Sequence, residues 1–330
     1  MSFKVQLQSS GHEFEVEGKE TILRAGMRQG LNLAHKCMNG SCGECTARLL
    51  KGDIEQLRNH DYRLAEQQKN EGVFLTCCYQ PVSDLLLEMH EKHDPVEMRF
   101  QEILVKVSKL QRLQDEVMLL QLRAPRSKVL DFLGGQRVSL CLPNGSCEVL
   151  GVANCPCEGV NLRFHIRLTE NSFSQHVFNG LRKGDSVQLF GPVGNFTLNE
   201  YSARRLIFFA SETGFAQVQS IIDHAISIDP DREIALYWMS AIEHGHYLSN
   251  YCRAWRDTLD NFCYESIDLQ PAGEDTLHTS MQKLLSQQER LNESDIYAIL
   301  PENELAQFSV FLQQHQFPMQ QLTSEILLSV

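Results

Sequence analysis

The sequence lacks any apolar run long enough to cross a bilayer, and Met1-Ser-Phe-Lys opens without the pattern of a secretory signal. A soluble, cytoplasmic protein without membrane insertion is therefore expected. Internal repeats and low-complexity segments are also missing, which argues against a solenoid. Positive charge is scarce: the 330 residues carry 30 Lys and Arg against 42 Asp and Glu, a formal net charge of -12. The shortage is local. Residues 1–93 hold 11 basic and 13 acidic side chains, residues 94–200 hold 12 and 11, and residues 201–330 hold 7 and 18. A final third at -11 suits neither nucleic acid nor an anionic membrane, and it is an unfavourable field for a phosphate-rich cofactor. No Ser-His-Asp or paired-carboxylate grouping can be assigned from spacing, so no catalytic residue is nominated.

Cysteine, by contrast, is plentiful, with 11 residues. In a chain without a targeting segment this argues for a reducing compartment and against a disulfide framework. Three thiols fall in Cys37-Met-Asn-Gly-Ser-Cys42-Gly-Glu-Cys45, and a fourth follows in Leu75-Thr-Cys77-Cys78. The spacing C-x4-C-x2-C…C is the plant-type [2Fe-2S] arrangement. Gly40 and Gly43 allow the backbone to curl tightly, and Ser41 adds a small polar side chain, so amide N–H groups can point at cluster sulfurs. A structural zinc site would also take four thiolates, but it usually uses two C-x2-4-C knuckles, and the second is missing here. Vicinal Cys77 and Cys78 leave the fourth ligand open on chemistry alone.

Residues 1 to about 93 resemble the plant-type ferredoxin module of bacterial oxygenase reductases. The resemblance rests on Cys37, Gly40-Ser-Cys42-Gly-Glu-Cys45, Leu49-Leu-Lys-Gly52, Leu75-Thr-Cys77 and Pro81-Val-Ser-Asp84-Leu. It implies a β-grasp fold with a cluster near the surface, held by Cys37, Cys42, Cys45 and Cys77, with Cys78 a neighbour.

Along the chain, Lys4-Val-Gln-Leu-Gln and Phe14-Glu-Val-Glu alternate as half-buried strands of a hairpin. Thr21 is placed to cap a short helix that turns Leu23 and Met27 inward. Thr46-Ala-Arg-Leu-Leu reads as a strand, Asp61 as the start of a short polar helix, and Leu85-Leu-Leu-Glu-Met as the strand that closes the sheet. The polar stretch 91–98 reads as a linker. Six β-rich runs follow, beginning at Ile103, Val117, Arg137, Cys147, Leu162 and Ser186, and they predict a small antiparallel barrel with one helix over 173–182. From Arg205 apolar strands alternate with amphipathic helices: Leu206–Ala210, Ile234–Trp238, Phe262–Glu265 and Ile296–Leu300 predict a parallel doubly wound sheet. Three domains are expected, at 1–93, 94–200 and 201–330.

This order, with Lys183-Gly-Asp185 leading into a strand and Phe190-Gly-Pro-Val-Gly-Asn-Phe following it, resembles the ferredoxin-reductase superfamily. That resemblance implies an FAD-binding barrel and an NAD(P)-binding domain. The motifs that would grip those cofactors have changed. In the register set by Val152-Ala-Asn154, Glu148, Leu150 and Gly151 stand where the family has Arg, Tyr and Ser. Ser211-Glu212-Thr213-Gly214 stands for its glycine-rich loop, Gln217 where Pro is common, and Ile299-Leu-Pro301 for Cys-Gly-Pro. The family's flavin-stacking aromatic is missing from Ser324-Glu-Ile-Leu327. Arg137, Arg167 and Asn171-Ser-Phe-Ser174 are the groups left to meet a pyrophosphate.

The sequence therefore favours a [2Fe-2S] electron-transfer protein whose body has lost ordinary FAD and NAD(P)H binding and serves in docking or regulation, with an oxygenase or a flavoprotein as redox partner. The alternative is an NAD(P)H-dependent flavin and iron–sulfur reductase serving an oxygenase; a third reading is a cluster-based sensor. Cys155-Pro-Cys157 reads as a turn rather than a redox or metal pair. His244 and His246 read as solvated loop residues, Tyr247 as a helix start, and Trp238 and Trp255 as core.

Overall fold

The structure is a computed structural model that describes residues 2–29, 31, 33–35, 40, 43–89, 100–241, 245–269 and 291–327. The chain falls into two compact units, residues 1–97 with 199–203, and residues 98–198 with 204–330.

In the first unit, β1 (Ser2–Leu7) and β2 (Glu13–Glu17) pair antiparallel and bury alternate residues, among them Val5, Leu7, Phe14 and Val16. The period of two follows from the pleat, which turns successive side chains to opposite faces. α1 (Ile22–Arg28) starts where Thr21 Oγ1 accepts a hydrogen bond from the Arg24 amide at 3.3 Å, and it buries Ile22, Leu23, Ala25 and Met27. β3 (Thr46–Lys51), β4 (Ile54–Gln56), α2 (Glu66–Asn70), β5 (Val73–Leu75), β6 (Tyr79–Pro81) and β7 (Leu85–Glu88) follow. The sheet order is β2-β1-β7-β3-β5, with β1 and β7 parallel, a β-grasp arrangement. The Leu85 strand completes the sheet as expected, between β1 and β3, with Leu85 and Leu87 both buried. The short helix begins at Glu66, five residues after the predicted Asp61.

In the second unit, six antiparallel strands build the barrel: β8 (Gln101–Gln114), β9 (Val117–Arg123), β10 (Arg137–Cys141), β11 (Cys147–Gly151), β12 (Asn161–Arg167) and β13 (Ser186–Val193). Their order is β11-β10-β13-β8-β9-β12, and inward side chains such as Val105, Leu120, Leu140, Phe164 and Leu189 fill the interior. α3 (Ser172–Asn179) is the predicted helix, capped by Asn171 Oδ1 accepting from the Ser174 amide at 2.7 Å.

β14 (Arg205–Ser211), β15 (Ile234–Ala241), β16 (Phe262–Leu269), β17 (Ser294–Leu300) and β18 (Leu322–Ile326) form a fully parallel sheet of order β16-β15-β14-β17-β18. β14 and β17 are almost continuous runs of buried residues because helices cover both faces. α4 (Phe215–Ile228) packs on the face of Phe208 and Trp238, and α6 (Glu302–Gln314) on that of Ile207 and Phe209; α5 (Ser249–Thr258) packs beside β16. β18 has no counterpart among the predicted strands, since Leu-Thr-Ser-Glu-Ile is short and mostly polar. Val117 of the barrel and Phe196 share a core with this sheet, so barrel and sheet form one unit.

Two disulfides correct the expectation of a chain of thiols: Cys141–Cys147 and Cys155–Cys157. The first joins residues directly opposite in the β10–β11 ladder, and the second spans one proline at the 3-10 turn Pro156–Glu158. Tertiary placement supplies the short sulfur separation that composition could not reveal. No helix among the described residues is long and apolar enough to cross a membrane.

Candidate functional site

Of the residues predicted to surround a cluster, Cys37, Ser41 and Cys42 lie outside the described residues. Cys45 and Cys77 are described, both are buried, and their sulfurs approach to 3.2 Å. They come from distant parts of the chain, and Thr76 clamps them together. Its amide and its hydroxyl both donate to the Cys45 carbonyl, at 3.1 and 2.9 Å. Cys78 Sγ lies 3.5 Å from Cys77 Sγ. Hydrogen bonds with Cys45 and Cys78, together with burial, push the Cys77 thiol far up. Without a metal the Cys77 thiol holds its proton, whereas a cation would displace it.

Gly40 and Gly43 have φ of 80° and 82°, the left-handed region that L side chains rarely adopt. A Cβ on Gly40 would meet Cys78 Sγ at 2.6 Å, and one on Gly43 would meet the Tyr62 ring at 2.3 Å. The donor set and this close-fitting cradle suit an iron–sulfur cluster held by thiolates.

The second candidate site is the carboxyl edge of the parallel sheet. β14 lies between β15 and β17, so the chain leaves β14 for opposite sides of the sheet in turn, and a crevice opens at that switch point. The crevice is small, about 40 Å³, and is bordered by Arg137, Leu150, Gly151, Thr213, Gln217 and Glu325. The groups at its rim are engaged with one another. Arg137 Nε is 2.8 Å from Glu325 Oε1, and Gln217 Nε2 donates to the Gly135 carbonyl at 2.6 Å. A Cβ on Gly151 would meet Gln217 Cγ at 2.1 Å, so Gln217 fills the space that the glycine leaves. Burial raises the Glu325 carboxyl above its usual range despite Arg137, and burial likewise raises Glu148.

Glu212 dominates the turn after β14. Its φ of 50° is unusual for a residue with a side chain. Four hydrogen bonds hold it there: Trp238 Nε1 donates to its carbonyl at 3.0 Å, and its carboxylate accepts from the Ala241 amide at 2.8 Å, Ser240 Oγ at 3.1 Å and Arg167 Nη2 at 2.5 Å. An internal carboxylate thus takes a guanidinium and an amide that would otherwise suit an anionic ligand. Arg137 and Arg167, the cations left for a pyrophosphate on sequence grounds, both face carboxylates.

The sequence family described as 2Fe-2S iron-sulfur cluster binding domain matches residues 5–82. The similarity continues into the body. The CDP-6-deoxy-L-threo-D-glycero-4-hexulose-3-dehydrase reductase of Yersinia pestis is 29% identical over 265 residues, 80% of this chain and 79% of that protein. The DmpP reductase component of phenol 2-monooxygenase from Pseudomonas sp. (strain CF600) is 30% identical over 241 residues, 72% of this chain and 68% of its own. The chain belongs to the family of iron–sulfur reductase components. Among solved structures, the Amycolatopsis cytochrome P450 reductase GcoB superposes with a TM-score of 0.62 at 19% identity, covering 98% of each chain. This likeness bears on the fold, a ferredoxin domain joined to a ferredoxin-reductase-like body.

Within this reductase component, pairings between distant residues escaped sequence reasoning. Arg167 and Glu212 are 45 residues apart, and no local spacing pairs them. His246 departs from its predicted solvated state: its side chain is buried, with Nε2 at 2.8 Å from the Trp238 carbonyl and Nδ1 at 3.6 Å from Asp268. His244 lies outside the described residues. Trp238 is core as predicted and Trp255 packs at the edge of that core, while Tyr247 precedes its helix by two residues. Buried His165 hydrogen-bonds Tyr247 Oη through Nδ1 at 3.1 Å, and desolvation lowers its imidazole to about 3, so it is neutral at physiological pH.

Proposed function

We propose that this chain is the electron-transfer reductase component of a multicomponent system, taking electrons from NAD(P)H through a flavin in the body and passing them singly from a [2Fe-2S] cluster to an oxygenase-like protein. The observation that carries this reading is the extent of the similarity, which runs over 265 residues and so includes the body as well as the cluster module. Cys37, Cys42, Cys45 and Cys77 are the proposed ligands, and the backbone of Gly40, Ser41 and Gly43 the proposed cradle. Cys45 and Cys77, with sulfurs 3.2 Å apart, suit a shared iron. Domains at 1–93, 94–200 and 201–330 and a cytoplasmic location belong to the same proposal.

The crevice favours a second reading, in which the body has lost FAD and nicotinamide binding and the chain takes electrons from a separate flavoprotein. Glu212 bonded to Arg167, and Gln217 filling the space beside Gly151, are its support. Loss of binding finds no support among the reductase relatives, which is why it stands second. Anaerobic titration of the purified protein with NADH and NADPH, together with acid-released flavin per chain, separates the two. One flavin per chain and prompt bleaching by a nicotinamide support the first reading. Iron and sulfide without flavin, and a spectrum unmoved by either nucleotide, overturn it in favour of the second.

A further inference from the structure

Cys155 and Cys157 lie in the barrel, outside both candidate sites, and are joined by a disulfide. Only Pro156 separates them, and closing so short a loop removes little freedom from the unfolded chain, so cross-linking is a weak reason for this bond. Its surroundings supply a chemical one. Cys157 is half-buried, open enough for a thiol to approach, while Cys155 is buried. Cys155 Sγ accepts from the Cys157 amide at 3.2 Å and lies 3.8 Å from His224 Nδ1, itself on a buried imidazole of α4. An amide and an imidazole beside one sulfur of a pair favour that sulfur as the leaving thiolate.

The frame around the pair is held independently of the S–S bond. Asn154 Nδ2 donates to the Cys155 and Asn161 carbonyls at 3.1 and 3.0 Å, its Oδ1 accepts from the Arg163 amide at 2.7 Å, and Ser220 Oγ donates to its carbonyl at 2.8 Å. The bond can therefore open without unfolding the barrel.

We propose that Cys155 and Cys157 are a redox-active dithiol–disulfide pair that exchanges two electrons with a dithiol, small or carried by a protein. A donor thiolate attacks Cys157 Sγ, forming a mixed disulfide as the Cys155–Cys157 bond breaks and its electron pair leaves on Cys155 Sγ. The donor's second thiolate then attacks its own sulfur in the mixed disulfide and releases Cys157. The donor ends as a disulfide, and its two protons end on Cys155 and Cys157. His224 is a positioning residue for the departing Cys155 sulfur.

The full chain with its cluster, equilibrated anaerobically in mixtures of reduced and oxidised dithiothreitol and then quenched and alkylated, gives the state of each cysteine from peptide masses. Cys155 and Cys157 are expected to become labelled together along a two-electron curve while tryptophan fluorescence remains native, with Cys141–Cys147 as an internal comparison. A pair that stays unlabelled in excess dithiol until urea unfolds the body overturns the proposal, as does a pair labelled even in fully oxidised buffer. His224→Asn should slow reduction by about tenfold at neutral pH. An unchanged rate in a folded variant would overturn the route through Cys155. Labelling of these peptides is independent of flavin and nicotinamide, so its failure leaves the proposed reductase function intact.

Discussion

Replacing Glu212 tests how the crevice is held. Breaking a buried ion pair from one side costs about 3–5 kcal/mol, because it strands the partner charge. Here the Arg167 and Glu212 side chains retain 13% and 19% of their exposure, so solvent reduces that cost. Loss of the bonds from the Ala241 amide and Ser240 Oγ adds to it. Glu212→Ala should therefore destabilise the body by about 3 kcal/mol. Glu212→Gly loses the same contacts but accepts the backbone φ of 50° without a Cβ, which should return about 1 kcal/mol. Urea unfolding read by tryptophan fluorescence suits the comparison, since both tryptophans pack in this unit and Trp238 bonds the Glu212 carbonyl. The glycine variant also removes a carboxylate beside Arg167 and frees the Ala241 amide. NADH should then bind at least about tenfold more tightly than to the parent, as one like charge at contact range opposes it by more than 1 kcal/mol even after screening. Alanine and parent proteins of equal stability would refute the reasoning, and so would a glycine variant less stable than the alanine one.

Other outcomes follow from the two sites. Gly43→Ala should assemble little cluster, seen as lost visible absorbance and lost iron, because its Cβ would sit 2.3 Å from the Tyr62 ring at a φ of 82°. Cys77→Ser should abolish cluster assembly while Cys78→Ser retains iron and sulfide; the reverse result would exchange their roles. Two buried groups in the second unit set opposing pH dependences. Desolvation raises Asp223 to about 7, although the bond from Tyr251 Oη at 3.1 Å works against it. The folded state binds that proton when the unfolded chain has lost it, so this contribution to stability falls as pH rises from about 4 to about 7. His165, lowered to about 3, does the reverse: its contribution falls as pH drops from the ordinary histidine value near 6.5 toward 3. The two largely offset in the parent between pH 4 and 6.5. Asp223→Asn should therefore lose stability on acidification more steeply than the parent, and urea midpoints at pH 7 and pH 5 measure it. Equal slopes would contradict the assignment.

Much of the architecture was legible because it rests on local pattern. Period-two alternation marked β1 and β2, turn signals separated the barrel strands, and continuous apolar runs marked β14 and β17. Thr21 announced its helix through capping chemistry, whereas the Asn171 cap of α3 emerged only with the fold. What stayed hidden depends on distant partners. β18 is short and polar and becomes a strand only because β17 offers it an edge. The Leu85 strand was expected to complete its sheet, but its place between β1 and β3 needed the fold, since sheet order is not written in strand order. The C-x4-C-x2-C…C spacing pointed to a thiol cluster but left Cys77 and Cys78 open, and the fold brings Cys45 and Cys77 to 3.2 Å. The Arg137–Glu325 pair, 188 residues apart, and the Cys141–Cys147 bond across a ladder needed the fold.

The proposed function stands on a [2Fe-2S] cluster that carries one electron at a time. Protein purified without oxygen, assayed for iron and acid-labile sulfide and then reduced with dithionite for electron paramagnetic resonance, tests it directly. Two irons and two sulfides per chain are expected, with one unpaired spin on reduction that vanishes and returns as the protein is reoxidised and reduced again. Zinc in place of iron, or iron without a reversible spin, would contradict it.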